Sequence, residues 1–200
     1  DTQIDYTHPD LARAYDTSLD YNFALGTDDP QIKPNNLPDP HGTRVAGVIS
    51  ADGPNDNGSV GIAPNATLVG LGIDYGAETA VDDIMTALRS AVTLDVVNNS
   101  WSFNDSLADN FTYKPHYGEV LEELVRDGRD GLGTNIVFAA GNDKNHSSSN
   151  YHNFQNSPFT IAVGAVNSDG EAASFTSRGA NVLLSAGGVD VYTTNVGGKA

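Results

Sequence analysis

Thr134-Asn135-Ile136-Val137-Phe138-Ala139-Ala140-Gly141-Asn142 is the stretch on which the fold turns. Its apolar residues run from Ile136 to Ala140 without polar alternation, and Gly141-Asn142 stops them. A strand wetted on one face alternates, whereas an unbroken run of this length is buried on both faces, as in a parallel sheet. Outward from it, Thr160 to Val166 and Val182 to Leu184 read as further buried strands, and Leu94 to Val97 and Thr67 to Ile73 as strands upstream. Between them, Val81, Ile84, Met85, Leu88 and Val92 recur at helical spacing, as do Val120, Leu121, Leu124 and Val125 before Gly128. Strands alternating with helices predict an α/β fold of three layers, doubly wound on a mainly parallel sheet, in one domain spanning residues 1–200. The long polar connections, Asp16 to Pro40, Asn104 to Pro115 and Asn142 to Pro158, are where function is expected, because ligands of such sheets bind beyond the carboxyl ends of the strands.

Composition narrows the function. The 200 residues carry 26 acidic and 10 basic side chains, a formal charge of −16, which argues against a nucleic-acid partner since phosphate binding needs clustered Lys and Arg. With no cysteine there is no disulfide, thiolate metal site or cysteine nucleophile. No apolar run reaches the 18 to 20 residues of a membrane span. The chain opens at Asp1 without methionine and reads as an excerpt.

Four segments carry chemistry. His41-Gly42-Thr43-Arg44-Val45-Ala46-Gly47 runs into Val48 and Ile49, and Val45, Val48 and Ile49 share one helical face, predicting a buried helix with His41 at its amino end. Asp1-Thr2 precedes His8-Pro9-Asp10-Leu11. Asn98-Asn99-Ser100-Trp101-Ser102 and Phe138-Ala139-Ala140-Gly141-Asn142 each close a predicted strand. A serine hydroxyl becomes a nucleophile when a neutral imidazole takes its proton, and a carboxylate must hold that imidazole in one tautomer. An acid and a histidine are two parts of such a machine, whereas an asparagine after glycine at a strand end is by default a turn residue.

These segments resemble the subtilase family of serine peptidases (subtilisin-like, peptidase family S8). The resemblance implies that Asp1 orients His41, that His41 is the general base, and that Asn142 donates its amide to the oxyanion. Ser100, Trp101 and Ser102 would bind substrate with Ala139, Ala140 and Gly141 on the opposite wall. Gln3 and Ser102 stand where the family has glycine, so a less permissive backbone is expected at Gln3 and a narrower cleft at Ser102. The family's Gly-Thr-Ser nucleophile motif does not occur in these residues and is expected beyond Ala200, with a core strand expected before Asp1; the 200 residues alone are expected to be inactive.

Arg129-Asp130-Gly131-Leu132-Gly133, Tyr15-Asp16, Asp190 to Asn195 and the acidic loop Gly26 to Gln31 resemble the kexin or proprotein-convertase branch. That branch cuts after basic pairs using carboxylates and calcium near the pocket. Asp105 matches one such position, but Ser148 and Arg178 stand where other carboxylates are expected, so a bacterial, secreted relative with a different specificity is predicted. The resemblance also implies a polypeptide substrate, allows a propeptide, and implies structural calcium held by Asp10 and a loop including Asn55, Asn57 and Val60; Asn-Asp-Asn-Gly is equally turn chemistry. His8, His146 and His152 lack zinc-site spacing and are expected at the surface. Two alternatives stand beside the peptidase. One is a non-catalytic homologue that binds peptides; the other is a dinucleotide site at Gly70, Gly72 and Gly76, whose last spacing is one residue too long.

Overall fold

The structure, a computed structural model, describes residues 1–23, 25–29, 31, 39–53, 58–143 and 148–198. Asn55, Asn57 and His146 lie outside the described residues. The chain forms two compact units, one of Asp1–Ile84 with Tyr192–Ala200 and one of Met85–Val191.

In the first unit, β1 (Tyr21–Asn22) pairs in parallel with β2 (Leu71–Gly72), and the amide of Ile73 donates to the Asp1 carbonyl at 2.9 Å. Asp1 is thereby fixed beside β2. Helix α1 (His41–Ser50) lies over this arrangement with Ile4, Leu11, Ala14, Ala46 and Leu68 as its core. The side of α1 that is buried is the small one, Gly42, Thr43, Ala46, Gly47 and Ser50. Val48 is exposed and Val45 and Ile49 only half-buried, contrary to the expectation that those three form the buried face. The reason is that α1 packs against backbone, which only small residues approach closely.

Helix α2 (Ala80–Ser90) opens with Asp82 and Asp83 in its first turn and ends with Arg89, charges that suit the helix dipole. The division between the units falls within it. In the second unit, β3 (Val96–Asn99), α3 (Pro115–Gly131), β4 (Asn135–Ala139), β5 (Thr160–Val166) and β6 (Val182–Gly187) follow in chain order. The four strands form a parallel sheet in the order β3-β4-β5-β6. Pro115 starts α3 where a missing amide costs nothing, and Tyr117, Val120, Leu121, Leu124 and Gly128 make its buried stripe. Regular helical geometry stops at Gly128; Arg129 and Asp130 turn left-handed at φ 53° and 58°, and the Arg129 guanidinium meets Asp95 at 2.7 Å.

Buried Ile136, Phe138 and Ala162 bear out the reading of β4 and β5 as core strands. The edge strand β6 differs from expectation: Leu183 and Leu184 are 73% and 49% exposed, on the last strand of the sheet. The glycines of the alternative nucleotide site are also accounted for. Gly70 packs on the Tyr15 ring and helix α2 begins only at Ala80, so these residues form no phosphate-binding turn into a helix.

Candidate active site

Helix α1 begins at His41 with Pro40 as its N-cap residue and no side-chain cap at that position. Its first amides are satisfied from elsewhere: His41 N–H donates to Asp39 Oδ1 at 3.0 Å and Gly42 N–H to Thr2 Oγ1 at 2.8 Å. A Cβ at Gly42 would overlap the Thr2 carbonyl oxygen and lie 2.8 Å from that of Gln3, so the segment starting at Asp1 can reach the helix only over a glycine. Gln3 does not take a positive φ, and the family's glycine is not needed there.

This close approach brings the acid to the base. Asp1 Oδ1 lies 2.8 Å from His41 Nδ1, with the carboxylate 11% and the imidazole 44% exposed. The carboxylate accepts the Nδ1 proton, which leaves Nε2 as the nitrogen free to take one. Asp1 Oδ1 also accepts from Thr2 N–H at 2.7 Å, whereas buried Oδ2 has no hydrogen-bond partner among the described residues.

The opposite end of the chain holds the same helix. Thr193 Oγ1 donates to the Arg44 carbonyl at 2.9 Å, buried Thr194 Oγ1 to the Thr43 carbonyl at 2.7 Å, and Gly197 N–H to Asp5 Oδ2 at 2.9 Å. Asp5 is itself buried, and its amide donates to Thr43 Oγ1 at 2.9 Å. Gly47 makes the room: a Cβ there would lie 2.5 Å from Thr193 Oγ1 and 2.9 Å from Thr194 N. Thr2, Thr43, Thr193 and Thr194 were not singled out by the sequence, since bonds spanning 40 to 151 residues leave no local pattern.

In the second unit, register pairs Asn99 with Phe138, so Ser100-Trp101-Ser102 and Ala139-Ala140-Gly141 leave neighbouring parallel strands at one level. Asn99 Nδ2 donates across to the Val137 carbonyl at 3.3 Å. The Trp101 ring turns inward, edge-on to Phe138 and Phe154, and its Nε1 donates to Asn99 Oδ1 at 3.2 Å. The Trp101 side chain therefore belongs to the aromatic cluster. Ser100 is half-buried, Ser102 exposed, Ala139 half-buried and Ala140 buried. Gly141 adopts φ 107°, held by Ser177, whose amide donates to the Gly141 carbonyl at 2.8 Å and whose hydroxyl accepts from Asp143 N–H at 3.1 Å. Asn142 follows, exposed at the end of this segment.

The residues read as metal ligands divide. Asp10 is 1% exposed and its Oδ2 accepts from Ser59 N–H at 3.1 Å, so it does meet the loop read as its partner. Val60 is 62% exposed and belongs to the same loop, whereas Asp105 is exposed in the second unit. Among the described residues no three His, Asp or Glu side chains are grouped to hold a metal. The sequence also missed Asp20, a buried carboxylate that, among the described residues, makes no hydrogen bond of normal geometry. Burial pushes its pKa up, the Tyr15 hydroxyl pulls it back, and the charges of Asp29, Asp16 and Asp28 add to the rise.

Two histidines expected at the surface are buried. His8 Nδ1 accepts from Asp10 N–H at 3.0 Å, bracing the turn that carries Asp10. His152 stands 3.6 Å from Asp109, whose Oδ2 accepts from Phe154 N–H at 2.9 Å under the aromatic cluster. Each is buried because it answers a carboxylate-bearing turn, which spacing rules for zinc do not register.

Comparison with known proteins agrees with this geometry. The profile of the subtilase family matches residues 1–199. Neuroendocrine convertase 2 of Rattus norvegicus is 28% identical over 189 residues, which take in 92% of this chain and 29% of the relative. The dibasic-processing endoprotease of Schizosaccharomyces pombe is 32% identical over 200 residues, 98% of this chain and 28% of that protein. The chain thus spans less than a third of the length of these curated relatives. Among solved structures, the serine protease of Aeromonas sobria superposes on 94% of this chain with a TM-score of 0.79 at 28% identity, using 35% of its own length; it has also been solved in complex with a chaperone. A cold adapted subtilisin-like serine proteinase superposes on 100% of this chain and 64% of its own with a TM-score of 0.75 at 20% identity, a likeness of fold. With its carboxylate–imidazole pair on a subtilisin-like α/β frame, and with convertases among the proteins it resembles, this chain belongs to the subtilase family, peptidase S8.

Proposed function

We propose that the protein is a serine endopeptidase whose Asp1 and His41 act with a serine supplied from outside residues 1–200. The observation that carries this reading is the 2.8 Å contact between Asp1 Oδ1 and His41 Nδ1. With Nδ1–H given to the carboxylate, His41 Nε2 takes the serine proton as the hydroxyl attacks the peptide carbonyl, and returns it to the leaving amine. Asp1 stays ionised and stabilises the imidazolium. Asn142 donates its side-chain amide to the oxyanion; losing such a donor lowers kcat by about 10²–10³, a magnitude measured on a subtilase and carried over here. Ser100 to Ser102 and Ala139 to Gly141 would flank an extended polypeptide, with backbone groups at two neighbouring strand ends supporting that role.

The named relatives include a dibasic-processing enzyme. Ser148 and Arg178 instead favour a specificity other than basic pairs: the Ser148 hydroxyl donates to the Arg178 carbonyl at 2.9 Å, and the pair brings no carboxylate to a cation. A propeptide or chaperone partner and secretion are part of the same proposal, in line with the chaperone complex of the Aeromonas sobria protease. Calcium would be held by Asp10 with the loop of Asn55, Asn57 and Val60, and by Asp105 at a second position. The buried Asp10 carboxylate beside Ser59 fits an oxygen-seeking cation, which would brace the loop after α1.

Labelling of the complete protein by a fluorophosphonate tests the chemistry. Covalent labelling that disappears in His41→Ala supports the peptidase. A complete chain that resists the reagent yet binds peptides would be a non-catalytic homologue, and the enzyme reading would be withdrawn.

A further inference from the structure

The two groups of the proposed dyad do not stand alone; a single hydroxyl ties their backbones together. Helix α1 needs an acceptor for Gly42 N–H, the amide next after His41, and Pro40 at the cap position carries no side-chain acceptor. Thr2, forty residues away, supplies it at 2.8 Å. The same hydroxyl donates its proton to the Asp39 carbonyl at 3.1 Å, and the Asp39 carboxylate accepts from His41 N–H at 3.0 Å. On its other side, Thr2 gives its amide to Asp1 Oδ1 at 2.7 Å, the oxygen that also accepts from His41 Nδ1.

A closed circuit results: carboxylate of Asp1, amide and hydroxyl of Thr2, amide of Gly42, backbone and imidazole of His41, and back to the carboxylate. Each bond fixes one degree of freedom that the Asp1–His41 contact would otherwise have to fix by itself. We infer that Thr2 is a positioning residue, a helix cap supplied from a distant segment that sets the carboxylate-to-imidazole distance and holds His41 in one tautomer. This rests on the dyad reading of Asp1 and His41. It assigns to the hydroxyl beside the acid a task distinct from acid, base or oxyanion chemistry, and it makes the start of the histidine helix conditional on the segment that carries the acid.

The task separates a hydroxyl from a shape. Thr2→Val keeps the branched outline and removes the acceptor, whereas Thr2→Ser keeps the acceptor and removes a methyl group. Nitrogen-15 and proton NMR of the whole chain reads the result at His41 without any hydrolysis. The unsubstituted protein and Thr2→Ser are expected to show a downfield, hydrogen-bonded Nδ1–H signal and imidazole nitrogen shifts of one tautomer. In Thr2→Val the Nδ1 proton should exchange with water at least about tenfold faster and the second tautomer should appear, the order expected when one hydrogen bond of a network is lost. A hydroxyl that served stability alone would lower the melting temperature of Thr2→Val and leave the His41 signals as they were, and that outcome overturns the inference. Should Thr2→Val not fold, exchange at the Gly42 amide of the unsubstituted protein decides: protection supports the cap, and exchange at the rate of an unstructured peptide refutes it. Absence of the Nδ1–H signal from the unsubstituted protein would instead defeat the Asp1–His41 reading itself, so the two failures are distinguishable.

Discussion

Replacing Gly47 by alanine should destabilise the protein, although alanine is the better helix former by about 1 kcal/mol in a helix interior. The added methyl would lie 2.5 Å from Thr193 Oγ1 and 2.9 Å from Thr194 N, inside normal contact with a side chain and with backbone. Relief requires the 193–194 segment to lift from α1. Lifting strains the packing by about 1–3 kcal/mol and breaks the hydroxyl bonds to the Arg44 and Thr43 carbonyls, each worth about 0.5–1.5 kcal/mol. After the helix-propensity gain, a net loss of about 1–5 kcal/mol remains. For a chain of this size that lowers Tm by about 2–20 °C. Thermal unfolding by circular dichroism gives the loss, and amide exchange shows whether α1 opens first. Thr193→Ala with Thr194→Ala removes the side-chain part of the conflict, so Gly47→Ala should cost at least about 1 kcal/mol less in that background. A Gly47→Ala protein as stable as the original, or additive losses in the cycle, would refute the account of Gly47 as the seat of the 193–194 segment.

Measured in chelator, Asp109→Ala should cost about 3 kcal/mol in thermal unfolding, because it orphans the Phe154 amide and strips buried His152 of its carboxylate, while Asp105→Ala at the surface should stay within about 0.5 kcal/mol. Equal effects would remove Asp109 from the account of the aromatic cluster. Asp20→Asn, measured in chelator, should raise Tm at pH 7 and leave it unchanged at pH 3. A carboxyl whose folded pKa is raised penalises the folded state increasingly as pH climbs from its unfolded value of about 3.9 through the folded one, and the penalty vanishes below the lower value. A gain of the same size at both pH values would contradict the buried-charge explanation. Chelation should lower the Tm of the complete protein by about 5–10 °C and Asp10→Ala should diminish that response, since saturating a site at a hundred times its Kd adds about 2.7 kcal/mol. No shift on chelation would remove calcium from the proposal.

Much of the sheet was legible because its strands announce themselves locally. The run Thr160 to Val166 coincides with β5, Ile136 to Ala140 is displaced from β4 by one residue, and Gly128 ends the regular part of α3. Pattern reading failed where packing partners come from afar. On α1, apolar Val45, Val48 and Ile49 suggested one buried face, yet the buried residues are the small ones, which admit the 1–3 and 193–194 segments. On β6, Leu183 and Leu184 looked like core residues and are exposed at the sheet edge. Burial of His8 and His152 depends on turns formed by Asp10 and Asp109, which no spacing rule contains. Among the candidate site residues, Asp1 and His41 were readable as a pair from their motifs and meet at 2.8 Å. Their support by Thr2 was not, because a cap normally lies beside the helix it serves.

The placement of His41 is a long-range property although its motif is seven residues long. The threonines and glycine that dock on α1 or beside it from the carboxyl-terminal segment make bonds across 149, 151 and 192 residues, and Thr2 makes one across 40. Closing such loops costs entropy that grows only logarithmically with length, about 0.6 kcal/mol per doubling, so a few well-satisfied bonds can hold them. Met85–Val191 lie within these loops as a unit of their own, which means the first unit is completed by residues that follow the second in sequence. Gly42 and Gly47 are the physical expression of that arrangement. Each removes a side chain where a distant stretch of backbone must come within hydrogen-bonding distance of the helix, one from the acid's segment and one from Thr193-Thr194. A histidine motif with bulkier residues at those two positions could still form a helix, but its imidazole would have no fixed carboxylate to meet.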